Sequence, residues 1–154
     1  TEHPEILQYA FGINKLNAQT LLKWQYQTQG KDLKPDFMPE RMDGYCDIME
    51  FKMPHLDGKC IVGTNERKQP SYQVDSAIAQ INKYDEWCSQ KINTDWLEKE
   101  YNMKVFKPNK YLIMGHSSDF TAEDRRRLRE ERNIIIYTYD EFIEIARYQI
   151  YRYR

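Results

Sequence analysis

The sequence is short of the residues that dominate disordered, fibrous or disulfide-stapled proteins. Glycine and proline number only six each, while 40% of the residues are hydrophobic and 14% are aromatic. That composition excludes a disordered or collagen-like chain and indicates a globular protein. The three cysteines, Cys46, Cys60 and Cys88, are odd in number and have no Cys-x-x-Cys spacing. We therefore expect neither a zinc site nor a disulfide framework, and a reducing cytoplasm.

Long apolar runs and an excess of charge of one sign are also missing. No apolar run approaches the ~18 residues that cross a bilayer, and no leader pattern opens the chain, so we expect no membrane association. The formal net charge is −1, which neither indicates nor excludes a nucleic-acid partner, because binding depends on where basic groups cluster. The length suits one domain over residues 1–154. Because the first residue is Thr1 rather than Met, we expect that domain to come from a longer protein.

The hydrophobic pattern predicts helices that alternate with short strands. Asp43-Gly44 lies between the first two predicted strands and is a hairpin signal, since both residues accept positive φ. Such an alternation predicts an α/β fold with a central mixed sheet flanked by helices. The expected elements are a helix over 4–27 with a weak stretch at 12–17, strands over 33–40 and 46–53, a loop over 54–70 with room for a strand at 60–62, a helix over 72–100, a strand over 111–115, a helix capped by Thr121, a strand over 134–137 and a helix over 141–153 capped by Asp140.

Two charged residues interrupt an otherwise apolar strand. Glu50 and Lys52 alternate with apolar residues, and because strand side chains alternate between faces, the two charges share one face. Charges in such a strand cost free energy unless they are paired or bind a metal. Pro35-Asp36 lies on the preceding predicted strand, with Asp36 fourteen residues before Glu50. From this spacing alone, an ion pair between Glu50 and Lys52 beside a solvated Asp36 is as good an interpretation as an active site.

The residue types at these positions suit hydrolysis of a phosphodiester bond. That reaction needs a hard cation to offset the phosphate charge and to lower the pKa of a water molecule. Mg²⁺ takes oxygen ligands and usually only one or two protein carboxylates. We predict Asp36 and Glu50 as its ligands, with the Phe51 carbonyl as a third, and we expect Mn²⁺ to substitute. Lys52 is predicted to orient the attacking water or to stabilise the phosphate.

Several segments, taken in order along the chain, resemble the nuclease core of the Shedu family, bacterial antiphage proteins with a PD-(D/E)xK fold. The helical segment among them carries Gln80 and Tyr84, which are similar to the Q-x3-Y element of that family and share a helix face. The segments are Lys34–Arg41, Cys46–Pro54, Ala79–Tyr84, Tyr111–Gly115 and Ile136–Phe142.

The resemblance implies a restriction-endonuclease-like core with Asp36, Glu50, Lys52 and Gln80 as catalytic residues. Gln80 would bond the attacking water or Lys52. The implied function is a Mg²⁺-dependent DNA endonuclease that nicks or cuts DNA in bacterial antiphage defence, located in the bacterial cytoplasm and assembled as a homo-oligomer. Glu5 is a candidate for the acidic residue that many such folds carry on the first helix.

Two other functions remain open at this point. One is a non-catalytic DNA-binding or assembly module with a nuclease fold, against which the intact Asp36, Glu50 and Lys52 argue. The other is a nuclease that acts on RNA, because nothing in the sequence shows a contact to a 2′-hydroxyl. The densest basic run is a candidate DNA contact, although its members cannot all face one way on a helix. It consists of Arg125, Arg126, Arg127 and Arg129.

Overall fold

The computed structural model describes residues 4–26, 30–64 and 67–152, and its central feature is a mixed five-stranded sheet. Helices cover both faces of this sheet, so the predicted α/β class with a mixed, helix-flanked sheet is confirmed. The elements are α1 (Pro4–Phe11), β1 (Ile13–Ala18), β2 (Phe37–Arg41), β3 (Ile48–Phe51), β4 (Ile61–Val62), β5 (Gln69–Pro70), α2 (Tyr72–Cys88), α3 (Lys91–Tyr101), β6 (Lys110–Ile113), α4 (Ala122–Arg132), β7 (Ile135–Tyr137) and α5 (Tyr139–Arg152).

The strand order places the carboxyl ends of three strands at one edge of the sheet. The order is β1-β2-β3-β6-β7. The β1–β2 and β2–β3 pairs are antiparallel, whereas the β3–β6 and β6–β7 pairs are parallel. The predicted hairpin between β2 and β3 is confirmed, with Gly44 at a φ of 84°. The strands β4 and β5 form a separate ribbon within the expected loop. The backbone N–H of Lys52 donates to the Ile113 carbonyl at 2.9 Å, so the chain leaving β3 stays beside the end of β6.

Alternation along β3 separates the two faces of the sheet. Met49 and Phe51 pack into an apolar cluster with residues of α1 and α5. Ile48 belongs to the larger core that contains the buried residues of α2. Glu50 also faces α2, because the side chain of Gln80 on that helix bonds to it. One polar residue of β3 therefore points into the layer between the sheet and α2.

The predicted helix over 4–27 is wrong beyond Phe11. Gly12 has a φ of 62° and ends α1, and the chain continues as β1, which pairs with β2. Leu22 then forms an isolated bridge with Leu33, where a helical residue was expected. Pairing with a neighbouring strand overrides a weak local helical preference here. Gln27, the predicted end of the helix, lies outside the described residues.

The long helix predicted over 72–100 is two helices. A break at Ser89 and Gln90 separates α2 from α3, and the buried Asn93 amide donates to the Trp87 carbonyl at 3.1 Å across it. Periodicity alone does not show such a break, because the apolar spacing continues through both helices.

Of the two predicted helix caps, one is confirmed and one is wrong. The Thr121 hydroxyl accepts from the backbone N–H of Asp124 at 3.2 Å, as an N-cap should. Asp140 lies within α5, which begins one residue earlier, and its carboxylate accepts from the backbone N–H of Ser117 at 3.0 Å. Tyr153, the predicted end of that helix, lies outside the described residues. None of the helices in the described part of the chain combines the length and apolarity needed to cross a bilayer.

Candidate functional site

Glu50, Lys52 and Gln80 form a closed hydrogen-bonded triangle where β3 ends. Glu50 Oε1 accepts from Lys52 Nζ and from Gln80 Nε2, each at 2.8 Å. Lys52 Nζ also donates to Gln80 Oε1 at 2.6 Å. Each of the three side chains therefore holds the other two in place.

Asp36, the residue immediately before β2, joins this triangle through the backbone. Its N–H donates to Glu50 Oε2 at 3.2 Å, and its Oδ2 accepts from the backbone N–H of Phe51 at 2.9 Å. The structure thus brings together the four residues that the sequence predicts as catalytic. It also places the backbone of Phe51, the third predicted metal ligand, next to the Asp36 carboxylate.

Burial raises the pKa of Glu50. The residue is 3% exposed, and loss of solvation raises the pKa of its carboxyl above the ordinary value. The hydrogen bond from Lys52 opposes this effect, while the negative charge of Asp36 adds to it. Two carboxylates thus lie close together with one ammonium beside them, which is an environment that a further cation would stabilise.

Tyr84 supports Gln80 from one helical turn away. Gln80 Nε2 donates to the Tyr84 hydroxyl at 2.6 Å, so the amide contacts both Tyr84 and Glu50. Tyr84 is 3% exposed, and burial raises the pKa of its hydroxyl to about 12. The hydroxyl therefore keeps its proton at neutral pH and serves as an uncharged hydrogen-bond acceptor for the Gln80 amide.

The structure adds two residues that the sequence analysis missed. Gln19, just after β1, donates from its side-chain amide to Asp36 Oδ1 at 3.1 Å and from its backbone N–H to the Asp36 carbonyl at 2.9 Å. Tyr139, the first residue of α5, donates from its hydroxyl to the Lys52 carbonyl at 2.6 Å. No local pattern marks either residue, since each reaches the site from a distant part of the chain.

The hydrogen bonds of the site leave acceptor positions on both carboxylates. Each carboxylate offers about four acceptor positions, and three of these on Glu50 and two on Asp36 are taken by the hydrogen bonds above. Within residues 4–26, 30–64 and 67–152, no three His, Cys, Asp or Glu side chains are grouped to hold a metal. Asp36 and Glu50 thus offer two carboxylates, and Mg²⁺ usually takes one or two carboxylates from a protein.

The basic run on α4 is divided between interior and surface. Arg125 is 6% exposed and forms a two-pronged ion pair with Glu141 of α5. Arg126 and Arg129 are exposed. Arg125 is therefore a structural residue, and only its exposed neighbours remain candidate DNA contacts. Glu5 is exposed and lies in the first turn of α1.

A known protein family matches most of the chain. The family model described as Shedu protein SduA, C-terminal, matches residues 1–143, which is most of the 154 residues. No curated protein matches the chain. The matched region includes the whole hydrogen-bonded cluster around Glu50.

Proposed function

We propose that this chain, which belongs to the Shedu SduA family, is a Mg²⁺-dependent DNA endonuclease with a restriction-endonuclease-like PD-(D/E)xK core. Membership of the family associates the chain with antiphage defence. The observation that carries the proposal is the convergence of Asp36, Glu50, Lys52 and Gln80 at one sheet edge. A location in the bacterial cytoplasm and a homo-oligomeric assembly belong to the same proposal.

The two carboxylates and the Phe51 carbonyl would hold the cation, which when bound offsets the phosphate charge and lowers the pKa of the attacking water. Asp36 is oriented for this task by Gln19 on one carboxylate oxygen and by the Phe51 N–H on the other. Glu50 is fixed by Lys52 and Gln80. Pre-positioned ligands of this kind reduce the reorganisation that the reaction requires.

Lys52 is suited to contact the reacting phosphate. Its ammonium has three N–H donors, of which one bonds Glu50 and one bonds Gln80. The third N–H remains for a phosphate oxygen or for the attacking water. The side chain of Lys52 is 28% exposed, whereas that of Glu50 is 4% exposed, so Lys52 is the member of the pair that substrate can reach.

Plasmid cleavage tests the proposal directly. The wild type should convert supercoiled DNA to nicked or linear DNA with Mg²⁺ or Mn²⁺, and EDTA should stop the reaction. Lys52→Ala should abolish cleavage and leave the fold and most of the DNA affinity intact, because affinity comes mainly from phosphate contacts elsewhere. Lys91→Ala, on the exposed surface of α3, is the matched control and should cut normally.

Three outcomes would redirect the interpretation. Cleavage by Lys52→Ala at the wild-type rate would refute the assigned site. DNA binding without cleavage by the wild type would favour a non-catalytic module with a nuclease fold. Faster cleavage of an RNA strand than of the same DNA sequence would make the protein an RNA-directed nuclease.

A further inference from the structure

A groove of about 310 Å³ opens beside Lys52 and runs along the first turns of α2. It is continuous with the cluster described above, because Lys52 and Gln80 belong to both. A phosphate bound at Lys52 would therefore lie next to this groove. Its lining includes Lys52, Met53, Tyr72, Gln73, Ser76 and Gln80.

Two large apolar side chains stand exposed at this groove. Tyr72 is 86% exposed and Met53 is 68% exposed. A single exposed apolar residue on a surface needs no explanation. Here an aromatic ring and a thioether line the same groove, next to the polar cluster, and both favour contact with a flat ring.

The polar groups of the groove fit a neutral, hydrogen-bonding ring that is attached to an anion. Among the lining residues of the groove, Lys52 is the only charged one. Gln73 and Ser76 lie one helical turn apart and offer amide and hydroxyl groups to the edge of a ring. The cavity beside α3, in contrast, is lined by Lys91, Asp95 and other charges of both signs.

We propose that this groove binds an unstacked nucleobase of the DNA strand to be cut, with Tyr72 as its stacking surface. The inference rests on the proposed nuclease function and specifies the substrate, which is DNA with an unpaired nucleotide next to the scissile phosphate. Stacking of bases on aromatic side chains is tolerant of sequence, because every base has a π-face. The groove therefore favours DNA with an unpaired nucleotide, whatever the identity of its base.

Affinity measurements without metal test the groove separately from catalysis. With EDTA present, fluorescence anisotropy of a duplex with a one-nucleotide bulge should show about tenfold weaker binding to Tyr72→Ala than to the wild type, and wild-type binding to Tyr72→Phe. Replacing the bulged nucleotide by an abasic one should weaken wild-type binding similarly and leave Tyr72→Ala unaffected. Tyr148→Ala, at a tyrosine 68% exposed on α5, is the control and should bind normally.

Cleavage with Mg²⁺ then links the groove to the active site. The wild type should cut the bulged duplex faster than a fully paired one, and Tyr72→Ala should lose this preference. Equal binding of the bulged and abasic duplexes by the wild type would overturn the nucleobase site and leave the nuclease proposal standing. Absence of cleavage with a Tyr72-dependent affinity would refute the nuclease and retain the site. If Tyr72→Ala weakened binding of a bulged RNA duplex but not of the bulged DNA duplex, DNA would be refuted as the source of the base.

Discussion

Gln19 holds Asp36 by two hydrogen bonds, one from its backbone to the Asp36 carbonyl and one from its side-chain amide to the Asp36 carboxylate. Gln19 has a φ of 51°, in the left-handed region, which costs a non-glycine residue roughly 1–2 kcal/mol. Backbone strain of this kind tends to persist where the surrounding structure requires it. Here the two hydrogen bonds to Asp36, the predicted metal ligand, help to hold Gln19 in this conformation.

Substitution of Gln19 by glycine separates the effect of the side-chain hydrogen bond to Asp36 from the effect of backbone strain at this position. Gln19→Gly accepts the same φ and removes the amide, so we expect little change in melting temperature. Cleavage and Mn²⁺ affinity, measured by calorimetry, should each fall on the order of tenfold, because a misplaced ligand is costly to catalysis. Gln19→Ala should lose stability as well. Normal Mn²⁺ affinity in Gln19→Gly would limit Gln19 to a structural role.

The raised pKa of Glu50 predicts how pH affects the protein without metal. A raised folded-state pKa contributes stability that is fully present below the unfolded value of about 4.3 and is lost as pH rises through the folded value. The free energy of unfolding of the wild type should therefore decline, relative to that of Glu50→Gln, as pH increases through this window. Denaturant titrations at several pH values measure the difference, and parallel curves would contradict the assignment.

The titration of Glu50 should also affect metal affinity, which should increase with pH where the stability of the metal-free protein decreases. Because a cation binds the carboxylate form of Glu50, Mn²⁺ affinity should weaken as pH falls below the raised pKa of this residue, and binding in that range should release a proton. Calorimetry in buffers of different ionisation enthalpy counts the protons released. Binding that is independent of pH down to the ordinary range of a glutamate would exclude Glu50 as a ligand.

Tyr139 should act on the reaction through Lys52. Its hydroxyl donates to the Lys52 carbonyl, and burial raises its pKa, so it remains a donor at neutral pH. Tyr139→Phe should lower the free energy of unfolding by about 1 kcal/mol and should reduce kcat several-fold with KM unchanged. Tyr151→Phe, at an exposed position of the same helix, is the control. A loss of stability with unchanged kcat would show that Tyr139 supports the fold only.

Arg125 and its exposed neighbours should respond differently to substitution. Arg125→Ala leaves Glu141 without its partner and should cost about 2 kcal/mol, less than the ~3–5 kcal/mol for a fully buried pair, since Glu141 is 38% exposed. Because Arg125 lowers the pKa of Glu141, the stabilisation is present above the unfolded pKa of Glu141 and is lost as pH falls through the folded value. The difference between wild type and Arg125→Ala should therefore shrink in acid. A constant difference would contradict this pairing.

Joint replacement of Arg126 and Arg129 by alanine should leave stability unchanged. If these exposed groups neutralise phosphates, the slope of log affinity against log salt should flatten by about one to two units. Cleavage at saturating DNA should survive, because the metal site is untouched. An unchanged slope would show that both arginines are solvated surface residues that do not contact phosphates.

The sequence by itself determined the local geometry of the site. Side chains alternate along any strand, so Glu50 and Lys52 had to share one face once residues 50–52 were extended. Residues four apart share a helix face, so Gln80 and Tyr84 had to lie together on α2. The same period-two and period-3.6 rules predicted the apolar strands and most of the helices, because these periods are properties of the backbone alone.

Only the tertiary structure decided which distant groups complete the site. Gln19 lies in a segment that was expected to be helical, and its contact with Asp36 exists because β1 pairs with β2. Tyr139 reaches Lys52 because α5 begins where β7 ends, at the same sheet edge as β3. Arg125 is buried because α4 lies close enough to α5 for the Arg125 guanidinium to bond Glu141. Contacts of this kind depend on how strands and helices pack together across long loops, and residue spacing along the chain carries no information about that packing.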